Sequence, residues 1–437
     1  MRNYAFEIVY ETMEKKGHSD ELFHHVLQKN PKLVSEQKNF LKRLSFGTIE
    51  RCIEMDARLG SVSVLAVEKL NPAVRTILRM AMYEICYMEQ VPEAVSCNEA
   101  VELAKRKGVG KYHSFVNGVL RNAVREKDSF VIKDDWIRFS LPEELMNHFI
   151  SQYGKKTAKK IAASFLEKDG SVTLHIDENK ITAEKYMALL RERGISCQRG
   201  FYMEDAVILE KAGDIRLLPG YSEGWFFVQD ESSMLPVRCA GIRPGDNVMD
   251  ICSAPGGKSM HALIQLCGKG MLTARDVSEY KVDKIRENAE RLQYDNILCQ
   301  CRDARESDKE NEGKMDVVLA DVPCSGIGII GRKPEIKYHA MEQMDSLVEL
   351  QRKICRSAVS LLKPNGTFLY STCTINQAEN EENVRWLEKN FGLHRSSLNE
   401  FLPDTLQNKM TEQGMLQMLP GIQKSDGFFV ARLVKDN

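Results

Sequence analysis

The chain has 437 residues, enough for about two to four domains of ordinary size. Apolar residues make up 43% of it, and 61 Lys and Arg stand against 62 Asp and Glu. Full disorder and a global basic field are therefore excluded, and any nucleic-acid contact must come from local patches. No apolar run approaches the roughly 18–20 residues of a membrane span, and MRNYAFEIVYETMEKKGH carries acids where a signal peptide is apolar. A cytoplasmic chain with no membrane attachment is expected.

Residues 1–140 read as successive amphipathic helices: YAFEIVYETM, HHVLQK, KNFLKRLSFGTIERC, VRTILRMAMYEICYM, AVSCNEAVELAKRKG and YHSFVNGVLRNAVREK. Breaks fall at Gly17, Pro31, Pro72, Pro92 and Gly108–Gly110. Between Lys105 and Lys127 stand seven basic residues (Lys105, Arg106, Lys107, Lys111, Arg121, Arg125, Lys127) and one acid, Glu126. That stretch is either a solvated helix face or a patch that tracks phosphates. Lys155, Lys156, Lys159 and Lys160 form a second cluster.

Residues 141–235 change character. LPEELMNHFISQY and KKTAKKIAASFLE read as helices, VTLHI as a strand, AEKYMALLRERG as a helix, AVILE as a strand, and LPGYSEGWFFVQD as a hairpin. A small α+β segment is expected. From 236 to 437 strands alternate with helices. The strands are DNVMDIC, GMLTARDV, ILCQCRD, MDVVLADV, GTFLYSTC and GFFVARLV, which predicts a doubly wound α/β sheet. Ligands of such sheets sit beyond the carboxyl ends of the strands.

The residues at those ends carry the chemistry. After the first strand comes Asp250-Ile251-Cys252-Ser253-Ala254-Pro255-Gly256-Gly257-Lys258, whose paired glycines let backbone approach a ligand at a helix start. It matches neither G-x-G-x-x-G nor the phosphate-binding P-loop. The second strand ends in Asp276, placed to accept from ribose hydroxyls, and the third at Asp303, placed to accept from an adenine amino group. Each acid alone reads equally as a helix N-cap, but in succession after a glycine turn they favour a nucleoside cofactor. The fourth strand ends in Asp321-Val322-Pro323-Cys324-Ser325-Gly326-Ile327-Gly328 and the fifth in Ser371-Thr372-Cys373.

Twelve cysteines in a long chain without an export signal do not read as a disulfide framework. No C-x-x-C pair exists, and Cys299 and Cys301 are too close for a zinc knuckle. Most are expected to be reduced, buried and apolar in character. Cys324 and Cys373 are the exceptions: thiols at two strand ends point to metal, redox or nucleophilic chemistry. No His stands in either motif, so no metal is expected.

DxCxAPGGK, DVPCSGxG and STC together resemble the RNA cytosine-C5 methyltransferase family. The resemblance implies a Rossmann-like class I methyltransferase domain using S-adenosylmethionine. It implies that Cys252, Ser253, Ala254, Pro255, Gly256, Gly257 and Lys258 line the cofactor, that Asp276 holds its ribose and Asp303 its adenine, and that Asp321 faces both methyl donor and base. Cys373 matches the family's nucleophile and Cys324 its second cysteine. Ser253 stands where the family usually has Ala, and Arg275 where an apolar residue is expected. SCNEAVELAKRKG and SFVNGVLRN resemble the NusB-like helical domain, an RNA-binding module. That domain ahead of VQDESS and the methyltransferase motifs resembles the bacterial small-subunit rRNA branch, as do RKPEIKYH and DGFFVARL. The implied partner is 16S rRNA, free or in a partly assembled subunit, and nothing in the sequence requires an oligomer.

Three other readings compete. The same chemistry could act on tRNA, since catalytic motifs do not encode the RNA. A NusB-like adaptor with a dead methyltransferase domain would have no reason to keep both thiols. An amino-methyltransferase resembles [DN]-P-P-[YF] at the fourth strand, where this chain has Asp321-Val322-Pro323-Cys324 and no aromatic.

Overall fold

The computed structural model describes residues 1–167, 170–210 and 213–437. The chain divides into two units, Met1–Leu166 with Ile330–Met341, and Glu167–Ile329 with Glu342–Asn437.

The first unit is helical: α1 (Arg2–Lys15), α2 (Ser19–Lys29), α3 (Ser35–Glu50), α4 (Cys52–Val62), α5 (Pro72–Tyr87), α6 (Glu93–Arg106), α7 (His113–Glu126), α8 (Asp135–Arg138) and α9 (Glu143–Ser164). α5 is its centre, with Val74, Ile77, Leu78, Met80, Ala81, Met82 and Ile85 all buried. A helix apolar on most sides must be enclosed. Pro72 opens it, and the Asn71 side chain accepts from Ala73 N at 3.0 Å. The stretch KNFLKRLSFGTIERC is not one helix; the chain bends at Arg51 and restarts as α4. The two helices expected over LPEELMNHFISQY and KKTAKKIAASFLE are the halves of α9, separated at Gly154, whose φ of 76° suits glycine.

A short 3₁₀ turn, Pro334–Tyr338, belongs to this unit although it follows the Cys324 motif in sequence. Buried Glu335 accepts from Ser19 N at 3.1 Å and Ser19 Oγ at 2.8 Å. Lys337 Nζ and Tyr338 OH donate to the carbonyls of Glu50 and Ile49, which close α3. Terminal carbonyls that a helix cannot satisfy itself are thereby paired.

The second unit holds two sheets. The smaller comprises β1 (Val172–Ile176), β2 (Cys197–Arg199), β3 (Ala206–Leu209) and β4 (Phe226–Val228), ordered β2-β3-β1-β4 and antiparallel throughout. α10 (Ala183–Glu192) buries Ala183, Tyr186, Met187 and Leu190 against it. The hairpin expected over LPGYSEGWFFVQD does not form. Gly220 and Gly224 adopt φ of 81° and 66°, Trp225 N folds back to Gly220 O at 2.9 Å, and the lone strand β4 pairs with β1.

The larger sheet contains β5 (Asn247–Asp250), β6 (Met271–Asp276), β7 (Ile297–Cys301), β8 (Met315–Asp321), β9 (Leu362–Thr372), β10 (Leu393–Arg395), β11 (Met415–Met418) and β12 (Phe428–Lys435). Its order is β10-β12-β9-β8-β5-β6-β7, with β11 beside β12. The five strands β5 to β9 pair in parallel, and β12 runs antiparallel to β9. Around it lie α11 (Glu231–Ala240), α12 (Gly257–Leu266), α13 (Glu279–Arg291), α14 (Ala340–Ser360), α15 (Glu381–Phe391) and α16 (Lys409–Glu412). All six expected strands are present. Val317, Leu319 and Leu369 pack into one core while Val318, Ala320, Phe368 and Tyr370 pack into another. Burial on both faces is why these strands read as continuous apolar runs. β6 and β8 flank β5 on opposite sides, so the chain's direction across the sheet switches there and opens a crevice beyond their carboxyl ends.

Arg275, where an apolar residue was expected, is 4% exposed. Its Nε donates to Gln300 on β7 at 2.8 Å and its guanidinium to buried Asp308 at 2.7 Å. Removing one member of a buried ion pair strands the other's charge. Asp308→Ala should therefore lower the unfolding free energy by about 3–5 kcal/mol in urea titration, with Asp308→Asn losing less. A midpoint equal to the parent's would show the pair to be dispensable.

Candidate active site

The loop after β5 forms one wall of the crevice. Asp250 is fully buried, and burial raises its carboxyl to about 6 although Ser259 Oγ donates to it at 2.7 Å. Ser253 stitches the turn to β6: its Oγ donates to Asp250 O at 2.8 Å and accepts from Arg275 N at 2.9 Å, and its N donates to Arg275 O at 2.8 Å. Gly256, with φ of 105°, is the N-cap of α12, and no side chain caps that helix. Its first N–H groups are left for a ligand. Burial, then Asp250, Asp276 and Asp321, push the Cys252 thiol well above its ordinary value, so it is a neutral lining residue.

Asp276 turns toward this loop, accepting from Ala254 N at 3.2 Å and Val277 N at 2.9 Å. Asp303 lies beyond the end of β7 and accepts from Arg305 N at 2.9 Å. The Arg305 guanidinium clasps it and holds its carboxyl below the usual range. A cavity of about 190 Å³ opens beside Pro255 and Gly257, lined also by Phe227, Met260, Asn288 and Arg291. The glycine turn, the uncapped helix start and acids on successive strands fit a nucleoside-bearing cofactor.

The opposite wall carries the thiols. Cys324 Sγ and Cys373 Sγ are 3.2 Å apart, and both side chains are half-buried. The Cys324 thiol is pushed well above its ordinary value, first by its contact with Cys373 and then by burial. Asp321 Oδ2 accepts from Lys258 Nζ at 2.7 Å, and Oδ1 accepts from Ser371 Oγ at 2.8 Å. Lys258, which was expected only to line the cofactor, bridges the two walls. Burial opposes its charge, but Asp321, then Asp250 and Cys373, raise its value overall. Its ammonium also lies 5.0 Å from the centre of the Phe428 ring.

A residue that sequence reading missed joins the two cysteine loops. Glu379 is fully buried and accepts from Ser325 N at 2.9 Å, Ser325 Oγ, Gln351 Nε2 at 2.8 Å and Asn376 Nδ2 at 3.0 Å. Ser325 Oγ also meets Thr374 Oγ1 at 2.7 Å. Gly328 N donates to Cys373 O at 3.2 Å, and a Cβ on Gly328 would meet Gly427 O and lie 2.8 Å from Cys373 O. The polar run NQAEN after STCT was the available signal for Glu379.

Of the remaining ten cysteines, Cys52, Cys97, Cys239 and Cys355 are buried, while Cys267 and Cys301 are exposed. The expectation that most would be buried is corrected: Cys301 is on the edge strand β7, and Cys267 caps the C-terminus of α12. The basic cluster on α6 and α7 is partly neutralised. Lys105, Arg106, Lys107 and Lys127 pair with Glu102, Glu99, Glu7 and Glu93. Lys111, Arg121 and Arg125 are exposed. In the second cluster Lys159 pairs with Asp135 at 2.7 Å, and Lys155, Lys156 and Lys160 are exposed.

Comparison with known proteins covers each part of the chain. The NusB family model matches residues 1–125, an RsmF/B-like ferredoxin-like domain matches 141–216, and 16S rRNA methyltransferase RsmB/F matches 240–434. A probable ribosomal RNA small subunit methyltransferase B from Bacillus subtilis is 34% identical, with 100% of this chain and 98% of the relative aligned. A protein of the same description from Synechocystis is 29% identical over 99% of both chains. The Vibrio cholerae ribosomal RNA small subunit methyltransferase B is 30% identical over 91% of this chain and 89% of its own. Among solved structures, PH0851 shares the fold with a TM-score of 0.83, 20% identity and 99% of each chain covered. NSun6 from Pyrococcus horikoshii, solved with SFG, has a TM-score of 0.60 at 20% identity, covering 68% of this chain and 98% of its own.

The close approach at Gly328 makes a defined demand. Gly328→Ala should force the Cys324 loop away from Cys373, cutting methyl transfer by about 100-fold or more, the scale of a roughly 1 Å misplacement at a reacting centre. Single-turnover kinetics on a variant checked for folding by circular dichroism would read this. A parental rate would mean the loop spacing is immaterial.

Proposed function

The chain belongs to the ribosomal RNA small subunit methyltransferase B family, and from that footing we propose that it methylates C5 of one cytosine in 16S rRNA, cytosine 967, with S-adenosylmethionine as donor. The observation that carries the reading is the pair of thiols 3.2 Å apart, on loops beside the Lys258–Asp321 ion pair.

C5 of cytosine is a poor nucleophile. Cys373, as thiolate, adds to C6; the ring's C5–C6 electrons shift, and C5 becomes able to attack an electrophilic methyl group. S-adenosylmethionine supplies that methyl when bound, and Cys252 to Gly257, Asp276 and Asp303 are the residues that would hold it. The Lys258 ammonium sits within electrostatic reach of Cys373. Both Asp321 oxygens already accept hydrogen bonds, so Asp321 acts as a carboxylate that orients the base through its amino group. After transfer the C5 proton leaves and the Cys373–C6 bond breaks, which restores the aromatic ring. Cys324, a neutral thiol in contact with Cys373, is placed to assist that release. A target cytosine must be unpaired or turned out of a helix to present C6 to a thiol.

Labelled methyl transfer to unmodified total RNA, with 5-methylcytosine mapped by bisulfite sequencing, tests the proposal directly. One new site in 16S rRNA is expected; a site in tRNA alone overturns the substrate, and no site with active cofactor binding overturns the reaction. Cys373→Ala should abolish transfer while cofactor affinity is retained, and measurable turnover would remove Cys373 as nucleophile. Cys324→Ala should accumulate an RNA–protein adduct on denaturing gels, and its absence with normal turnover would dismiss the release role.

RNA contact by the helical unit predicts a salt signature. Replacing exposed Lys111 and Arg121 with Gln should weaken binding and flatten the plot of log affinity against log salt by about 1.4–1.8. An unchanged slope would return these residues to a solvated face.

A further inference from the structure

Three polar side chains far apart in sequence meet inside the second unit: His175 on β1, Asp205 in the turn before β3, and His261 on α12. His175 and His261 are 0% and 1% exposed. Their candidate ligand atoms all lie within 4.8 Å of one another. One atom of each, His175 Nε2, Asp205 Oδ1 and His261 Nδ1, has no hydrogen-bond partner among the described residues. Buried polar atoms nearly always find partners, so three unpaired at one point call for a shared one.

The geometry favours an ion. His175 Nε2 lies 3.3 Å from Asp205 Oδ2 without the alignment of a hydrogen bond. Two donors bound at about 2.0 Å to one tetrahedral ion lie about 3.3 Å apart. The far side of each imidazole is also held as a ligand's would be. His175 Nδ1 is 2.8 Å from the Gln229 carbonyl oxygen, so Nδ1 carries the proton and Nε2 the lone pair. The Gln229 amide is fixed in turn by donating to Ser233 O at 3.1 Å. Gln265 Nε2 lies 3.2 Å from His261 Nε2; a half-turn of that amide would present its oxygen to an Nε2–H and leave the lone pair on Nδ1 for an ion.

We propose that His175, Asp205 and His261 bind one divalent transition-metal ion, Zn²⁺ by donor set, with the second Asp205 oxygen or a water as fourth ligand. The ion would tie the small sheet to α12, the helix whose N-terminus forms the glycine turn. No sequence pattern signals it, because ligands at 175, 205 and 261 have none of the short spacings of a metal motif.

The test uses the full-length chain without a histidine tag. It is stripped with a chelator, then titrated with Co²⁺ and Zn²⁺. Expected are one equivalent bound, the visible bands of tetrahedral Co²⁺ without a thiolate charge-transfer band, and a higher melting temperature with Zn²⁺. Asp205→Asn and His175→Gln should abolish the site, and Gln229→Leu should weaken it by about 10–100-fold. No stoichiometric binding by the parent chain, or a thiolate charge-transfer band placing the ion on cysteines, overturns the proposal. Both of those outcomes are measured on the parent chain, so the test stands even where a variant fails to fold.

Discussion

Glu379 is the constraint on which the thiol pair depends. Cys324 and Cys373 follow different strands, whose mutual pairing ends at Asp321 and Ser371, and β12 holds β9 one residue further at Thr372. Beyond that, backbone joins the two loops through Gly328 N and Cys373 O, and side chains supply the rest. A fully buried carboxylate without partners would be costly, so Glu379 is stable only when Ser325, Gln351 and Asn376 all reach it. Ser325 adjoins Cys324, and Asn376 lies on the chain leaving Cys373. Satisfying one charge therefore closes both loops around it. Tyr370 OH on β9 binds Glu379 O at 2.5 Å, which anchors the same point to the sheet.

A second ion reaches across the crevice from the glycine turn. Lys258 belongs to the first turn of α12, yet its ammonium meets Asp321 at the end of β8. In a buried setting a charge of each sign offsets the other's desolvation, and the pair then has little freedom to reorganise. Fixed charges of this kind are worth most where charge develops during a reaction.

The parts legible in the sequence were those that repeat a local rule. Strands buried on both faces showed as apolar runs, helices as stripes, and the ligand loops as glycines, acids and thiols at strand ends. What was hidden depends on partners distant in sequence. Glu379 looked like one polar residue in NQAEN, and Arg275 like an error in a strand until Asp308 is seen beneath it. The basic stretch 105–127 looked unbalanced because its acids, Glu7, Glu93, Glu99 and Glu102, lie outside the counted window. β10 and β11 are three and four residues long, too short for a period to show. α11 was missed because Pro236 lies within it; Asp230 starts it by accepting from Ser232 N at 3.0 Å.

The small sheet is no loose appendage to the larger one. The loop after β1 caps two helices of the larger sheet at their C-termini. Asn179 Nδ2 donates to Ile264 O of α12 at 2.9 Å, and Lys180 Nζ donates to Leu292 O, just past α13, at 2.6 Å. Donors and cations are favoured there because helix ends expose unpaired carbonyls and partial negative charge. Buried Asp177 accepts from Tyr294 OH at 2.8 Å, and Glu231 on α11 accepts the backbone N–H groups of Phe201, Tyr202 and Met203. α12 begins at the glycine turn and α13 begins just beyond Asp276, so both have their N-termini at the crevice and their C-termini in the grip of the small sheet. A displacement of that sheet would be passed along two rigid helices to the loops at the crevice, and its packing is thereby part of the geometry of the candidate site.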